Sequence, residues 1–343
     1  MVQNITIALD AMGGDYGPSV IVPSAVSVML EVPNLHIILV GDETILEQQV
    51  QTHARSIDPA RLTIKHASQK VEMDDLPSHA LRGKKDSSMR VAINLVKEQT
   101  AHACVSAGNT GALMATARFV LKMIAGLDRP AISGMLPTLN GHTHLLDMGA
   151  NIDVRAESLF EFAVMGSVLT SAVENIAEPT VALLNIGEEE IKGNERVKKA
   201  AILLSASELN YIGFVEGDDV YKGAADVVVC DGFIGNVSIK TAEGVAQLMS
   251  HFIKQEFRRN WFTKLVGVIA TPVLHAFKDK IDHRRYNGAS LLGLQGIVIK
   301  SHGGADELAF QYAIKEAIVE VEKNVVARIK DQLETVMAKR QVV

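Results

Sequence analysis

Residues 103–112 read Ala-Cys-Val-Ser-Ala-Gly-Asn-Thr-Gly-Ala. A short apolar run ends at Ser106, and Gly108-Asn109-Thr110-Gly111 makes a turn. A helical spacing then begins at once with Ala112, Leu113, Met114, Ala117, Phe119 and Val120. A strand that turns sharply into a helix is the building unit of an α/β sheet, and the free N–H groups of the helix terminus favour an anion. The turn itself carries no lysine.

Outward from this stretch, apolar β-branched runs alternate with longer helical patterns. Strands are expected at Ile5–Leu9, Leu35–Val40, Leu62–Lys65, Ala103–Ser106, Ala131–Leu136, His144–Leu146, Val181–Asn185, Tyr211–Val215, Val227–Cys230 and Gly296–Lys300. Helices are expected between them, among others at Ser88–Lys97, Ala156–Ser171 and Glu195–Ser205. This alternation predicts a doubly wound, mostly parallel sheet with helices on both faces. One region departs from it: Phe233 to about Phe257 and Trp261–Phe277 read as two helices flanked by Lys254, Arg258, Arg259, Lys264, Lys278, Lys280, Arg284 and Arg285. The expected organisation is a single α/β domain over 1–343 with a helical protrusion at 250–285.

The chain has 343 residues, of which 48% are apolar, enough to bury a sizeable core and to exclude a disordered class. A net charge of −6 gives a nucleic-acid surface no support. Two cysteines, Cys104 and Cys230, end apolar runs without metal-binding spacing, as expected of buried thiols in a reducing compartment. The amino-terminal residues enter a strand pattern directly, and Leu265–Phe277, broken by Pro272, is too short to span a bilayer. A cytoplasmic protein is the expectation.

In a parallel sheet, ligands bind beyond the carboxyl ends of the strands. Six such ends carry glycine with Asp, Asn, Ser or His: Asp10-Ala-Met-Gly13-Gly14-Asp15, Ser106-Ala-Gly108-Asn109-Thr110-Gly111, Asp147-Met-Gly-Ala-Asn151, Asn185-Ile-Gly-Glu188, Asp231-Gly-Phe-Ile-Gly-Asn236 and Ser301-His302-Gly-Gly304. Each alone is a capped βα turn; together they point to a ligand site at converging loops. Neither a dinucleotide G-x-G-x-x-G, a phosphate loop with lysine nor a G-x-S-x-G elbow occurs. Backbone N–H nests with small side chains suit phosphate or a phosphate ester. Lys192 is a candidate counter-charge, Lys240 reads better as a solvated lysine, and His302 is either a proton donor or a structural histidine. Asp10, Asp147 and Asp231 read as caps or acceptors rather than ligands of a metal, and no cofactor is expected.

The motifs D-A-M-G-G-D, S-S-M-R-V-A (Ser87–Ala92), C-V-S-A-G-N-T-G-A-L-M, D-M-G-A-N, N-I-G-E-E-E-I-K-G, C-D-G-F-I-G-N, Y-N-G-A-S-L-L-G (Tyr286–Gly293) and K-S-H-G (Lys300–Gly303) closely resemble the bacterial phosphate acyltransferases. The resemblance runs from Ile5 to about Gly304. It implies a Rossmann-like α/β/α sandwich related to the phosphotransacetylases and a homodimer peripheral to the membrane. It also implies transfer of a long-chain acyl group from acyl-carrier protein to inorganic phosphate. The acyl phosphate would pass to a membrane glycerol-3-phosphate acyltransferase.

Phosphate is then the nucleophile, which accounts for the missing catalytic serine. On this reading Gly13, Gly14, Gly108, Thr110 and Gly111, with Ser106, hold phosphate or the carbonyl oxygen. Asn109, Asn151 and Asn236 donate amide hydrogens, Lys192 balances charge, and His302 protonates the thiolate or orients phosphate. Asp10, Asp147 and Asp231 order the donors. Trp261, Phe262, Leu265, Val266, Val268 and Ile269 suit a dimer contact or an anionic bilayer. Arg82, Lys84, Lys85 and Arg90 suit an acidic carrier protein as well as they suit solvent. The alternatives are a phosphotransacetylase using acyl-coenzyme A, an oxidoreductase on the same fold and a membrane-peripheral scaffold.

Overall fold

β1 (Ile5–Asp10) reads Ile-Thr-Ile-Ala-Leu-Asp and is buried along almost its whole length, as a strand covered on both faces must be. In the computed structural model, which describes residues 4–340, it lies within one eleven-stranded sheet. The chain continues through α1 (Pro18–Glu31), β2 (Leu35–Gly41), α2 (Glu43–His53), β3 (Leu62–His66), α3 (Pro77–Gly83), α4 (Ser88–Lys97), β4 (Ala103–Ser106) and α5 (Thr110–Leu121). A hairpin of β5 (Ala131–Thr138) and β6 (Gly141–Leu146) follows. Then come α6 (Ala156–Glu174), β7 (Val181–Leu184), α7 (Glu195–Ser205), β8 (Tyr211–Val215), α8 (Gly217–Lys222) and β9 (Val227–Val229). The last elements are α9 (Gly232–Arg258), α10 (Trp261–Ile281), β10 (Ala289–Leu292), β11 (Ile297–Lys300), α11 (Glu307–Glu322) and α12 (Val325–Arg340).

Strand order is β3-β2-β1-β4-β11-β10-β5-β6-β9-β7-β8. The sheet is mostly parallel, as the alternation predicts, but the three central pairings β11–β10, β10–β5 and β5–β6 are antiparallel. That arrangement corrects the expectation that all six glycine loops meet. With β1, β4 and β11 pointing one way, β6, β7 and β9 point the other. Their carboxyl ends therefore face the opposite end of the sheet. β10, the strand absent from the sequence reading, has only four residues between Gly288 and Gly293, both at positive φ, so its pattern reads as a turn.

Apolar clusters cover both faces of each half. Around β1 they join α1 and α11 on one side and α4 and α5 on the other. Around β9 they join α6, α7 and α12 on one side and residues of α8 and α9 on the other. α6, at 19 residues, is long and apolar enough to cross a bilayer, which the sequence reading did not expect of any segment. Two thirds of it is buried, so here it is a core helix. α9 and α10 form a hairpin with an exposed apolar surface that includes Leu248, Phe252, Trp261, Phe262, Val268 and Ile269. The side chains of Lys278 and Lys280 lie outside the described residues.

One glycine fixes how α9 leaves the sheet. A Cβ on Gly235 would overlap the carbonyl oxygen of Asp147, so only hydrogen lets the helix seat against the loop after β6. Gly235→Ala is expected to lower unfolding free energy by about 3 kcal/mol or more. Gly244→Ala, on an exposed part of the same helix with nothing near its Cβ, is expected to raise it by about 1 kcal/mol. Urea unfolding of both variants checks the pair.

Candidate active site

Asp10, Ser106 and Lys300 are direct neighbours in register across β1, β4 and β11. Side chains two residues apart on a strand share a face, and Ala8, Cys104 and Val298 all enter the cluster beneath α4 and α5. The three polar groups therefore stand in a row on that same face, just beyond its apolar floor. Ser88 Oγ, in the first turn of α4, donates to Asp10 Oδ1 at 2.5 Å, and Ser106 Oγ donates to Oδ2 at 2.6 Å. Gly108 N donates in turn to Ser106 Oγ at 3.1 Å. Burial pushes the Asp10 carboxyl up, while the two hydroxyls and the Met12 N–H hold it down.

Lys300 supplies the cation that the glycine turn lacks. Its side chain is 9% exposed and Nζ reaches the carbonyls of Ala107, at 3.4 Å, and Ser301. Burial draws its pKa down to about 8, against the pull of Asp10 and Asp15 and with a push from Lys240. Three loops close around it. A Cβ on Gly13 would stand 2.6 Å from Asp10 Oδ2 and 2.9 Å from Gly108 N, so the first loop can approach the second only as glycine. Asp15 N bonds Gly303 O at 2.9 Å, and Gly14 packs on Ala107 and Gly303.

His302 stands exposed at the mouth of this group. Its N–H donates to Asn287 Oδ1 at 2.9 Å, and its Nδ1 accepts from Gly304 N at 3.1 Å. In the neutral ring the proton is then on Nε2. Asn287 also donates to Ser301 Oγ at 2.8 Å, which makes the Tyr286–Gly293 motif the brace of the His302 turn. Thr110 is exposed in the first turn of α5, and Gly111 packs on Pro77. Asn109 caps α5 through Oδ1 and spends its amide hydrogens on the carbonyls of Met73 and Asp75, so it is a brace here and no open donor. A hollow of about 410 Å³ lies beside the same turn, lined by Tyr16, Gly304, Asp306 and Glu307 among others.

The second group of loops is built differently. Asp147 accepts from Ile132 N, Gly149 N, Ala150 N, Asn151 N and Asn151 Nδ2, all between 2.7 and 3.1 Å. The other Asn151 amide hydrogen goes to Pro130 O at 2.7 Å. These two residues are a saturated clamp, which corrects the expectation of Asn151 as an amide donor. Asp231 caps α9 at Ile234 N and lies 3.7 Å from Arg196. Lys192 stands further out, at the end of β7, exposed and 3.9 Å from Glu189. Neighbouring residues of its loop, Asn185 and Gly193, line a separate 220 Å³ hollow with Ile234. Among the predicted residues, the structure therefore gathers Asp10, Gly13, Gly14, Ser106, Gly108, Thr110, Gly111 and His302. It sets Asp147, Asn151, Asp231 and Lys192 apart from them.

Asn236 links the groups. Its amide lies 3.5 Å from Met148 O, and Lys240, one turn or about 6 Å along α9, lies within electrostatic reach of Lys300. The next positions in the polar row are Ala289 on β10 and Gly134 on β5, both small. Met148 fills the space they leave, since a Cβ on Gly134 would overlap its sulfur. Ala289 and Met148 thus stand between Lys300 on one side and Asn236 on the other. Lys300 was missed because it closes an apolar strand, Ile-Val-Ile-Lys; its one signal is a lysine placed directly before the Ser301-His302-Gly303 turn.

The fold is one shared with phosphotransacetylases: a solved structure from Streptococcus pyogenes superposes with a TM-score of 0.62 over 93% of this chain and 94% of that one, at 17% identity. The sequence is 59% identical to a phosphate acyltransferase of Nitrosococcus oceani over 99% of this chain and 100% of the relative. It is also 59% identical to a phosphate acyltransferase of Methylococcus capsulatus over 98% of each. The family profile described as fatty acid synthesis protein matches residues 5–328. The chain belongs to the phosphate acyltransferase family of fatty acid and phospholipid synthesis and is an acyltransferase.

The buried lysine sets a pH test. The folded pKa of about 8 lies below the ordinary 10.5, so the folded protein loses this proton first. The contribution of Lys300 to stability is therefore least below about pH 8 and rises towards about pH 10.5. Against Lys300→Met, which buries no charge, the wild type should gain up to about 3 kcal/mol over that window. Urea unfolding of both proteins near neutral pH and near pH 10 measures the change; an unchanged difference would mean that Lys300 is solvated.

Proposed function

We propose that this enzyme transfers a long-chain acyl group from acyl-carrier protein to inorganic phosphate, with phosphate seated against the Asp10–Ser106–Lys300 row. The observation that carries this reading is a buried ammonium group beside a glycine-lined helix N-terminus. That pair suits a small oxyanion such as phosphate. The N–H groups of the first turn of α5 and Nζ of Lys300 orient phosphate without burying it among arginines. A phosphate oxygen attacks the thioester carbonyl carbon; the new C–O bond forms, the C–S bond breaks, and sulfur leaves as thiolate. His302 Nε2–H is assigned as the hydrogen-bond donor that steadies the thiolate, and the proton the sulfur takes up is the one phosphate sheds as it attacks. Asn236, the asparagine of the predicted set with the longest amide contact, is assigned to the carbonyl oxygen. Holding two reactants in one site supplies much of the rate.

Lys192 belongs to this reading only if the 187–193 loop swings round the N-terminus of α9, which Ile234 shares with it. Asp10 keeps Lys300 charged and Ser106 in place, while Asp147 and Asp231 hold the second loop group. The carrier protein is assigned to the basic side of α4 and α5. There Arg90 and Lys122 both lie over the ring of exposed Phe119, at 5.1 and 4.8 Å, and Lys84 is tied to Asp75 at 2.5 Å. The apolar hairpin of α9 and α10 is assigned to a second copy of the chain along its body. Its Trp261 end is assigned to the inner bilayer surface, where acyl phosphate meets a membrane acyltransferase.

Purified enzyme should form acyl phosphate from long-chain acyl-carrier protein and phosphate far faster than from acyl-coenzyme A. His302→Ala should lower kcat about 100-fold with its circular dichroism unchanged. Preference for the coenzyme A thioester would instead make it a phosphotransacetylase. Trp261 is the single tryptophan of the chain. Its emission should shift to the blue on anionic vesicles and stay put on neutral ones; no shift on either would leave the hairpin to the dimer alone.

A further inference from the structure

The opposite face of the sheet carries a polar cluster that the acyl transfer does not use. His142 and His144, two residues apart on β6, point to the same side, where Glu174 ends α6. His142 Nε2 lies 2.9 Å from Glu174 Oε1, and His144 Nε2 lies 3.8 Å from the same oxygen. One ligand atom from each of the three residues falls within 4.8 Å of the others. His144 is 2% exposed and its Nε2 has no hydrogen-bond partner. Ser133 Oγ on β5, Thr170 Oγ1 on α6 and Glu320 Oε1 on α11 are also buried without partners. A folded core seldom leaves four such atoms on one side of a sheet unsatisfied.

We propose that His142, His144 and Glu174 form a binding site for a divalent cation of the zinc class. Two imidazole nitrogens and one carboxylate are a common donor set for that ion. Bonds of about 2.0–2.1 Å place tetrahedral ligand atoms about 3.3 Å apart; here the two separations from Glu174 are 2.9 and 3.8 Å and all three lie within 4.8 Å, so the imidazoles would draw together on binding. Glu316 on α11 adds a negative charge within electrostatic reach of both Glu174 and His142, and a water molecule would fill the fourth position. The bound ion would give His144 Nε2 its partner and tie β6 to α6. β6 leads into the Asp147 clamp, so the ion would brace that loop group from behind. Its role would be structural, since the cluster lies on the face of the sheet opposite the Asp10–Ser106–Lys300 row.

The test is titration of the full-length enzyme with Zn²⁺ in a metal-free buffer, read by calorimetry and by thermal unfolding, with Co²⁺ as a spectroscopic probe. One ion per chain should bind at micromolar free metal, with a Tm rise of a few degrees and the visible bands of four-coordinate Co²⁺. His142→Gln and Glu174→Gln, at half-buried positions that tolerate the change, should each abolish the bands and the Tm rise. His144→Ala removes a core side chain, so its result counts only where the variant folds. Binding that survives both rim variants would belong to surface histidines and overturn the site. Lack of binding at micromolar metal would overturn it too, leaving the four buried polar atoms to water.

Discussion

Everything at the candidate site depends on one row of side chains, Asp10, Ser106 and Lys300, set side by side by the parallel pairing of β1, β4 and β11. Backbone register, which costs nothing extra once the strands pair, brings a carboxylate, a hydroxyl and an ammonium group to the same depth on the same face. Neither charge would be tolerated there alone, since burial penalises both. Together, and with Ser88 and the carbonyls of Ala107 and Ser301, they hold each other in place. The three glycine loops then fold down onto that row. This is why Gly13 must lack a side chain and why the Gly108–Gly111 turn needs no lysine of its own.

The reversal of strand direction between β11 and β6 gives the molecule its second feature. A wholly parallel sheet would have brought all six loops to one edge. Here the change of direction separates them and places a hairpin, β5–β6, in the centre. Asn236, whose amide lies 3.5 Å from Met148 O, is the link between the two loop groups. Ala289 and Gly134 are small, and Met148 fills the space they leave. The long α9 carries both Asn236 and Lys240. The Asp147 clamp, with its five hydrogen bonds, has the opposite task of rigidity and offers no open donor.

Much of this was legible from the chain alone. Ten of the eleven strands follow from β-branched runs, and α4 and α7 begin and end where their Ser87 and Asn194 caps and apolar periods say they should. Asp10, Ser106, Gly108 and His302 stood out because glycine beside a polar residue at a strand end is a local signal. What was not legible is non-local. Strand polarity depends on β10, whose four residues look like part of a turn. Lys300 looks like the end of an apolar strand until β4 is placed beside it. Asn109 and Asn151 have the residue type of amide donors, and only the structure shows that backbone carbonyls already take their hydrogens. His142 and His144 lie within a strand, and their partner Glu174 closes a helix about thirty residues later, so no spacing announces them.

The phosphate-binding role of the row is the claim on which the rest of the chemistry hangs. Calorimetric titration with inorganic phosphate tests it most directly, using the wild type, Lys300→Met and Lys192→Ala. The account predicts that Lys300→Met weakens phosphate binding at least about tenfold, the worth of one charge-assisted contact, while Lys192→Ala binds as the wild type does. The reverse pattern, with binding lost in Lys192→Ala and kept in Lys300→Met, would move phosphate to the loops around Asp147 and contradict the account.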